Sequence, residues 1–458
     1  MSRAARAAAL SRAGGVRVGT VYGESTAILR VAAGVRPAVA AANLDASPGV
    51  AWAVPDGMAR IAGPPNDPQY SQQWGFDNQG QNGGLVDADV DAPEGWAAAG
   101  LSPSYPTTGG TTIGFVDTGI DTTHPEFQGR IAGCVHMVSG QPFSGCKDGF
   151  GHGTHVAGIA AAATNNAQGV AGISFDSRIY VCRALGSDGS GNDSDVAACI
   201  HWLSDQGVRI INMSLTVDTP AAVHPAVTAA WNGGDGALLI AAAGNTGSTA
   251  LQYPAGFGEV VSVGNTTLQD TIAPSSTHNS DVELSAPGSQ IFSTWKGGGY
   301  ATETGTSMAS PVVAGTAAIV WQLHPTFTAR QVRTKLHNSV DDLGTAGKDE
   351  FFGFGRINLC LAAGGSCTYT PGQSNAGAIS GTVKTTGGAP VDARLSIVSG
   401  PTAGSTRADG ITGRYSLPGL QPGAYSVRAK KKGCQALTKP ATVKPSTTTK
   451  LNFVLTCS

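Results

Sequence analysis

The sequence lacks the features of a membrane-spanning or nucleic-acid-binding chain. No apolar run approaches the roughly 18 residues that a transmembrane helix needs. A strong net charge is also missing, because 29 Lys and Arg residues stand against 31 Asp and Glu residues. That balance gives no support for a nucleic-acid partner. We therefore expect neither a membrane nor a nucleic acid among the partners of this protein.

Charged residues are scarce, at 13% of the chain, whereas glycine reaches 64 residues. This composition suits an extracellular globular protein with many tight turns. A length of 458 residues exceeds one typical core and predicts two or three domains, one of them large.

Motifs for zinc binding or redox exchange are absent, since the eight cysteines form no CxxC pair and no zinc-like Cys/His spacing. Their even number, in four neighbouring couples, favours disulfides and an oxidising compartment. Reduced, buried cysteines are the alternative. We predict that each cysteine pairs with its neighbour, as Cys134–Cys146, Cys182–Cys199, Cys360–Cys367 and Cys434–Cys457.

The first residues do not form a signal peptide. "MSRAARAAALSRAGG" lacks an apolar core of about 7 to 15 residues and has the pattern of a basic, alanine-rich helix. We expect a secreted protein whose true N-terminus precedes this sequence. Retention inside the cell is the alternative.

Residues 1–63 have the pattern of a small α+β unit that ends at the turn-rich "GPPNDP". After the first helix we predict strands from Val16 to Tyr22 and Ser25 to Val31, a helix from Pro37 to Leu44, and a strand from Val50 to Val54.

Residues 64–360 alternate between strand and helix patterns. The runs "TTIGFVDTG", "RIYVCRAL", "VRIINMSL", "GALLIAAAGN" and "VVSVGN" are short and continuously apolar, as in strands that are buried on both faces. Helical patterns lie between them, for example from Val196 to Ser204. We predict a doubly wound, mostly parallel α/β domain with its site at the carboxyl ends of the strands.

Residues 361–377 resemble a linker, and residues 378–458 alternate apolar and polar positions between Gly and Pro turns. The alternation predicts a small antiparallel β-sandwich at the C-terminus.

Three polar residues stand at predicted strand or helix ends. Alone, Asp117 could cap a turn, His152 could be a core histidine, and Ser307 could cap a helix that accommodates Pro311 in its first turn. Together they supply a carboxylate, a base and a nucleophile, because a serine hydroxyl needs a neighbouring imidazole, oriented by a carboxylate, to become reactive.

Two further residues bear on this constellation. His152 and His155 could bind a metal, although the Glu that serves as base in zinc hydrolases is missing from the motif. Asn245 follows a buried strand and could donate its amide to an oxyanion, with the backbone N–H of Ser307 as the second donor.

The motifs "VDTGIDTTHPEF", "GHGTHVAGIAA", "AAAGN" and "GTSMASPVVAG", in this order, resemble the subtilisin-like serine peptidases, or subtilases, over residues 64–360. The resemblance implies a serine endopeptidase with the triad Asp117, His152 and Ser307 and the oxyanion residue Asn245. It also implies an acyl-enzyme intermediate, polypeptide substrates and synthesis as a precursor.

In such enzymes the substrate pairs as a strand beside the segment that matches "NMSLT", residues 212–216. Ser214 and Leu215 match the family pattern, whereas Thr216 stands where a Gly is usual. Its branched side chain could narrow the specificity pocket, so we expect a weak preference for apolar or small side chains.

"PNDPQYSQQWG" and "ATNNAQGVAG" resemble the thermitase-like members, which bind a structural calcium ion. The resemblance implies Asp67, Glu126 and Asn166 as ligands, together with carbonyls of residues 163–170. Glu126 stands where Asp is commoner. Ordinary turn polarity is the alternative for these residues.

The terminal regions carry resemblances of their own. Residues 1–63 resemble the later part of a subtilase propeptide, without its first strand, which implies an intramolecular folding aid and inhibitor that is cut off near Gly63. A plain N-terminal domain is the alternative. "GRYSLPGLQPGAYSVRA" resembles carboxypeptidase-regulatory-like or transthyretin-like sandwiches and implies a spacer or a binding module.

Two other functions compete with an active endopeptidase. One is a catalytically silent binding protein with the subtilase fold, and the other is an enzyme that its propeptide keeps latent. We expect a monomer.

Overall fold

The computed structural model describes residues 15–20, 27–31, 37–45, 47, 50, 53, 65–101, 110–367, 377–400, 405–408, 410, 412–420, 423–444 and 448–457. The chain divides into two compact units, Met1–Ala62 and Gly63–Ser458.

The first unit contains an antiparallel strand pair and a helix. They are β1 (Gly15–Thr20), β2 (Ala27–Val31) and α1 (Pro37–Asp45). All three were predicted, with ends shifted by one or two residues. Pro37 opens α1, where its missing N–H costs no hydrogen bond. The predicted N-terminal helix and most of the predicted strand from Val50 to Val54 lie outside the described residues.

The second unit contains a ten-stranded sheet and a separate hairpin. The strands of the sheet are β3 (Ile113–Asp117), β4 (Ile131–Val138), β5 (Gln141–Ser144), β6 (Ile179–Arg183), β7 (Ile210–Met213), β8 (Leu238–Ala242), β9 (Val260–Thr266), β10 (Val282–Pro287), β13 (Val340–Asp341) and β14 (Arg356–Ile357), and the hairpin consists of β11 (Ile291–Trp295) and β12 (Gly299–Glu303). The order in the sheet is β13-β14-β10-β9-β8-β7-β3-β6-β4-β5. The inner pairs are parallel, and the antiparallel pairs β13–β14 and β4–β5 stand at the two edges, so the predicted doubly wound α/β domain is confirmed.

Helices connect these strands. They are α2 (Ala92–Ala98), α3 (His152–Ala161), α4 (Asp193–Asp205), α5 (Pro220–Trp231), α6 (Thr306–Leu323), α7 (Ala329–His337) and α8 (Leu359–Ala362), with short 3-10 turns at Tyr70–Gln72, Gln81–Gly83, Pro125–Phe127 and Asn232–Gly234. Among the residues described, no helix is both long and apolar enough to cross a membrane.

Burial explains why three of these elements converge. Every residue of β3 is buried, as expected for a strand covered on both faces, and α6 is buried along most of its length against α3 and strands β7 to β10. The carboxyl end of β3 and the amino ends of α3 and α6 carry the predicted catalytic residues.

Four disulfides form, and each joins the predicted neighbours, so the alternative of reduced cysteines is wrong. Helix α8 and the Cys360–Cys367 disulfide extend the folded chain to residue 367, which lies within the predicted linker of residues 361–377. The pairs and their Cα–Cα distances are Cys134–Cys146 (5.3 Å), Cys182–Cys199 (5.4 Å), Cys360–Cys367 (6.0 Å) and Cys434–Cys457 (3.9 Å).

The C-terminal region is a β-sandwich of two four-stranded sheets, as predicted. Its core contains Ile379, Val383, Leu395, Val427 and Phe453, which come from both sheets. Strand β15 pairs antiparallel with β18 but parallel with β21 and β22. The strands are β15 (Gly377–Thr385), β16 (Arg394–Ser399), β17 (Ser405–Arg407), β18 (Arg414–Leu420), β19 (Gly423–Lys430), β20 (Leu437–Val443), β21 (Thr448–Lys450) and β22 (Phe453–Leu455).

Candidate active site

Asp117 and His152 form a hydrogen-bonded pair. Asp117 is the last residue of β3, and its Oδ1 lies 2.8 Å from Nδ1 of His152, the first residue of α3. The same oxygen accepts the backbone N–H of Thr118 at 2.7 Å. The carboxylate is buried, so the imidazole faces a charge that water does not screen. This bond fixes the proton on Nδ1 and directs Nε2 away from Asp117.

The two glycines that flank His152 permit this approach. Gly151 has a φ of 118°, and a Cβ there would lie 2.5 Å from the Trp295 ring. A Cβ on Gly153 would lie 3.1 Å from Cβ of Asp117 and would collide with a backbone carbonyl. A larger residue at position 153 would push the helix start away from β3, and one at position 151 would collide with Trp295 in an unfavourable backbone conformation.

The surroundings of His152 raise its pKa. Burial acts to lower the pKa, but the charge of Asp117 and the hydrogen bond to it outweigh burial, with smaller contributions from Asp148 and Glu303. The imidazolium is therefore stabilised, as a base that carries a proton during a reaction requires.

Asp148 is a residue of the site that the sequence analysis missed. Its Oδ1 accepts hydrogen bonds from Thr118 Oγ1 at 2.9 Å and from the backbone N–H groups of Phe150 at 3.0 Å and Gly151 at 2.7 Å. Its Oδ2 accepts from the N–H and hydroxyl of Thr154 at 2.9 and 2.6 Å. The buried carboxylate thus ties β3 to the start of α3, where the helix dipole favours negative charge. An Asp shortly before a predicted helix start was the signal in the sequence.

Ser307 is the second residue of α6, so its backbone N–H has no acceptor within the helix. The expectation that Pro311 lies in the first turn is wrong, because Pro311 is inside the helix and lacks the N–H that would bind the carbonyl of Ser307. The hydroxyl of Ser214 donates to that carbonyl instead, at 2.8 Å. The proline therefore couples the nucleophile's turn to the segment after β7.

Asn245 is oriented by the start of α6. Its Oδ1 accepts the backbone N–H of Thr306 at 2.9 Å and the hydroxyl of the same residue at 3.0 Å. With the oxygen occupied, the amide N–H groups are free to donate elsewhere. A Cβ on Gly305 would lie 3.2 Å from Nδ2, so glycine keeps this face of the amide open.

One cleft of about 450 Å³ contains His152, Ser214, Asn245, Thr306 and Ser307 among its lining residues. The hydroxyl of Ser307 donates to the carbonyl of Ser214 at 3.3 Å. Within the described part of the chain, Ser307 and His152 share no hydrogen bond. Both nevertheless face the same opening, as an enzyme without substrate allows.

The predicted substrate-binding residues Ser214, Leu215 and Thr216 line this cleft too. Three carboxylates, of Asp188, Asp193 and Asp218, share the lining, and no Lys or Arg is among the described lining residues. This end of the cleft is therefore negatively charged.

His155 does not form a metal pair with His152. Its Nε2 lies 3.1 Å from the backbone carbonyls of Ile291 and Ala301, and burial lowers its pKa to about 4. The described residues hold no group of three or more His, Cys, Asp or Glu side chains placed to bind a metal. His155 is a neutral core residue that anchors α3 to the β11–β12 hairpin.

The predicted calcium ligands do come together. Asp67 accepts the backbone N–H groups of Asn165 at 2.7 Å and Asn166 at 3.1 Å, and Glu126 accepts the side-chain amide of Asn166 at 2.9 Å. Burial raises the pKa of both acids, and for Glu126 the charge of Asp67 adds to the rise. Both carboxylates are oxygen donors of the kind that calcium binds, but each already accepts hydrogen bonds from the protein.

The sequence matches two protein families. The model of the subtilase family matches residues 108–355, and that of the carboxypeptidase regulatory-like domain matches residues 378–456. Thermitase from Thermoactinomyces vulgaris is 37% identical over 301 residues, which cover 65% of this chain and 98% of the relative.

Two other similar proteins each cover somewhat more than half of this chain. Subtilisin BL from Lederbergia lenta is 38% identical, covering 55% of this chain and 90% of its own length. A solved structure, the S41 psychrophilic protease, has 34% identity and a TM-score of 0.52, covering 58% of this chain and 97% of that chain. The residues that match the subtilase family model, 108–355, include those that line the cleft described above.

Proposed function

The chain belongs to the subtilase family and is a subtilisin-like serine endopeptidase, and we propose that Ser307 is its nucleophile, His152 its general base and Asp117 the carboxylate that orients the base. The observation that carries this assignment is the 2.8 Å bond between His152 and Asp117, made at the wall of the cleft that also holds Ser307.

Acylation begins at Ser307. As its Oγ attacks the carbonyl carbon of the scissile peptide bond, its proton passes to Nε2 of His152. The buried Asp117 stabilises the imidazolium that results. Collapse of the tetrahedral intermediate breaks the C–N bond, and His152 gives the proton to the departing amine. An acyl-enzyme ester on Ser307 remains.

The oxyanion of that intermediate needs donors. The amide of Asn245 and the backbone N–H of Ser307 are suited to this role, since Thr306 holds the amide in orientation and the helix start leaves the N–H free. The positive end of the α6 dipole also favours the negative oxygen.

Deacylation reverses these roles. A water molecule loses a proton to Nε2 of His152 and attacks the ester carbon, and the proton then returns to Oγ of Ser307 as the acid leaves. The substrate backbone pairs as a strand beside Ser214 to Thr216, which places its carbonyl at the nucleophile.

We further propose that Asp67, Glu126 and Asn166 hold a structural calcium ion that takes no part in the chemistry. Its binding would offset the cost of burying two carboxylates. The ion would link the segment before β3 to the loop after α3.

For the remaining regions we propose the roles that the family implies. Residues 1–63 act as a propeptide that inhibits the enzyme until it is cut near Gly63, and the protein is secreted. Residues 64–360 form the catalytic domain, residues 361–377 a linker, and residues 378–458 an accessory domain.

Peptide hydrolysis by the full chain and by its Ser307→Ala variant tests the proposal. We expect cleavage of a casein-derived peptide mixture by the first and a loss of at least about 10³-fold in the variant, with N-terminal sequencing of active material starting near residue 64. A chain that binds peptides but cleaves none, even after residues 1–63 are removed, would indicate the silent binding protein.

A further inference from the structure

The C-terminal sandwich carries a positive charge that the balance of the whole chain conceals. Residues 378–458 contain eleven Lys and Arg residues but two Asp residues and no Glu, a formal charge of +9. The whole chain carries −2, so residues 1–377 carry −11. A domain with this much charge of one sign attracts polyanions over several ångströms.

The cations of one sheet point outward, away from the core. Arg394, Arg428 and Lys430 are exposed, whereas their strand neighbours Leu395 and Ala429 are buried. Arg394 pairs directly with Lys430 across β16 and β19. Directly opposed residues have Cβ atoms about 5 Å apart, and residues two apart on a strand are about 7 Å apart. The three cations therefore form one cluster, the first basic face.

The other sheet also carries exposed cations, although no two of them are directly opposed. Lys384, Arg414 and Lys450 are exposed on β15, β18 and β21, while Ile379 and Val383 of β15 are buried in the core. Because the core lies between the two sheets, this second basic face is on the opposite side of the sandwich.

Among the described residues, the side-chain hydrogen bonds of the first basic face go to neutral groups. Arg394 and Arg428 donate to the hydroxyls of Ser405 and Thr438, at 3.5 and 3.3 Å, and these acceptors carry no charge. Of the two acids, Asp392 lies 3.7 Å from Lys431, and Asp409 is outside the described residues. Two like charges placed opposite each other in a sheet cost stability. A bound polyanion would offset this repulsion.

The aromatic residues narrow the kind of partner. Residues 378–458 contain Tyr415, Tyr425 and Phe453, and all three are buried. Bases and sugar rings therefore have no ring to stack on, and a bilayer has no interfacial anchor. Cations on opposite faces also suit a flexible chain that can pass around the domain better than they suit a flat membrane.

The charge of the catalytic cleft argues against an acidic polypeptide as the polyanion that the sandwich binds. An acidic polypeptide would be the natural polyanion for a peptidase to hold, but Asp188, Asp193 and Asp218 line the cleft and would repel it. We propose that the sandwich is a docking module for a linear, non-peptide polymer of phosphate groups, bound through its charges alone. Arginine suits phosphate because its planar fork can donate to two phosphate oxygens at once.

The test uses the full chain as the Ser307→Ala variant, to prevent self-digestion, and long-chain inorganic polyphosphate as the probe. Two triple variants, R394Q/R428Q/K430Q and K384Q/R414Q/K450Q, remove the first and the second basic face. The control K147Q/R178Q/K348Q removes three exposed cations from the catalytic region. Affinity is measured by calorimetry between about 50 and 200 mM salt.

We expect each face variant to weaken binding at least about tenfold and to lower the slope of log affinity against log salt by about 2 to 3, while the control changes neither. Thermal midpoints of the face variants should stay level or rise, because repulsion is removed. Equal weakening by the control would overturn the proposal, as would tighter binding of polyglutamate, single-stranded DNA or anionic lipid vesicles than of polyphosphate. The test does not depend on peptidase activity.

Discussion

Replacing Asp148 by Asn tests how the start of the catalytic helix is held. The carboxylate accepts five hydrogen bonds, and an amide of the same shape keeps a single acceptor oxygen. If that oxygen serves Thr118, Phe150 and Gly151, the new NH₂ group faces the N–H and hydroxyl of Thr154. A buried donor left unpaired costs about 1 to 3 kcal/mol, and the lost charge at the helix start about 0.3 to 1 kcal/mol more.

The expected destabilisation is thus about 1.3 to 4 kcal/mol, or roughly 3 to 16 °C in the thermal midpoint. Calorimetry in the Ser307→Ala background measures it, with the exposed Asp188→Asn as the matched control. Because the charge of Asp148 raises the pKa of His152, the active Asp148→Asn enzyme should also lose activity at a lower pH than the wild type. An unchanged midpoint together with an unchanged pH profile would refute this account of Asp148.

Four further predictions follow from the same geometry. The pKa of His152 is raised above its ordinary value of 6.5, and the imidazole must be neutral to act as the base. As acid is added, kcat/KM should therefore fall to half its maximum at a pH above 6.5. Full activity at pH 5 would contradict this prediction. Burial raises the pKa of Glu126, so its carboxylate is closer to neutral at pH 5 than at pH 8. Chelation of calcium should therefore lower the thermal midpoint more at pH 8 than at pH 5. In the Glu126→Gln variant the chelator should have no effect on the midpoint. Because three carboxylates line the cleft, peptides with Lys near the scissile bond should be cleaved several-fold faster than peptides with Glu at the same position. Asp218→Asn should narrow this ratio of cleavage rates, whereas a preference for Glu would refute the charge argument. The Asn245→Asp variant keeps the side-chain oxygen that accepts the N–H of Thr306 but loses the amide N–H groups that would donate to the oxyanion. Its kcat should therefore fall about 10² to 10³-fold while its stability stays nearly unchanged. A wild-type kcat would exclude the oxyanion role of Asn245.

Much of the fold can be predicted from the sequence because the local pattern of apolar residues agrees with the burial in the structure. The five residues of β3 are apolar or small up to the terminal Asp117, and the strand is buried on both faces as such a run predicts. The predicted pairing of each cysteine with its sequence neighbour was one of 105 possible connectivities, and the structure contains it. The motifs around His152 and Ser307 marked helix starts, and both helices begin there.

Interactions between segments that are far apart in the sequence could not be predicted from local pattern. The hydroxyl of Ser214 donates to the carbonyl of Ser307, 93 residues away in sequence, in place of the N–H that Pro311 lacks. Nothing local to these residues indicates this contact. The parallel pairs of β15 with β21 and β22 depend on chain crossing, which alternation of apolar residues does not specify. The positive net charge of residues 378–458 and the negative net charge of residues 1–377 are found only when the two regions are counted separately.

Covalent labelling by a serine-directed phosphonylating reagent tests the central claim most directly. The site requires that His152 and Asp117 activate one hydroxyl among all the serines of the chain. Mass spectrometry of the labelled protein should place a single adduct on Ser307, with labelling lost in Ser307→Ala and slowed at least about 10²-fold in His152→Ala. An adduct on another serine, or equal labelling of the His152→Ala variant, would contradict the account.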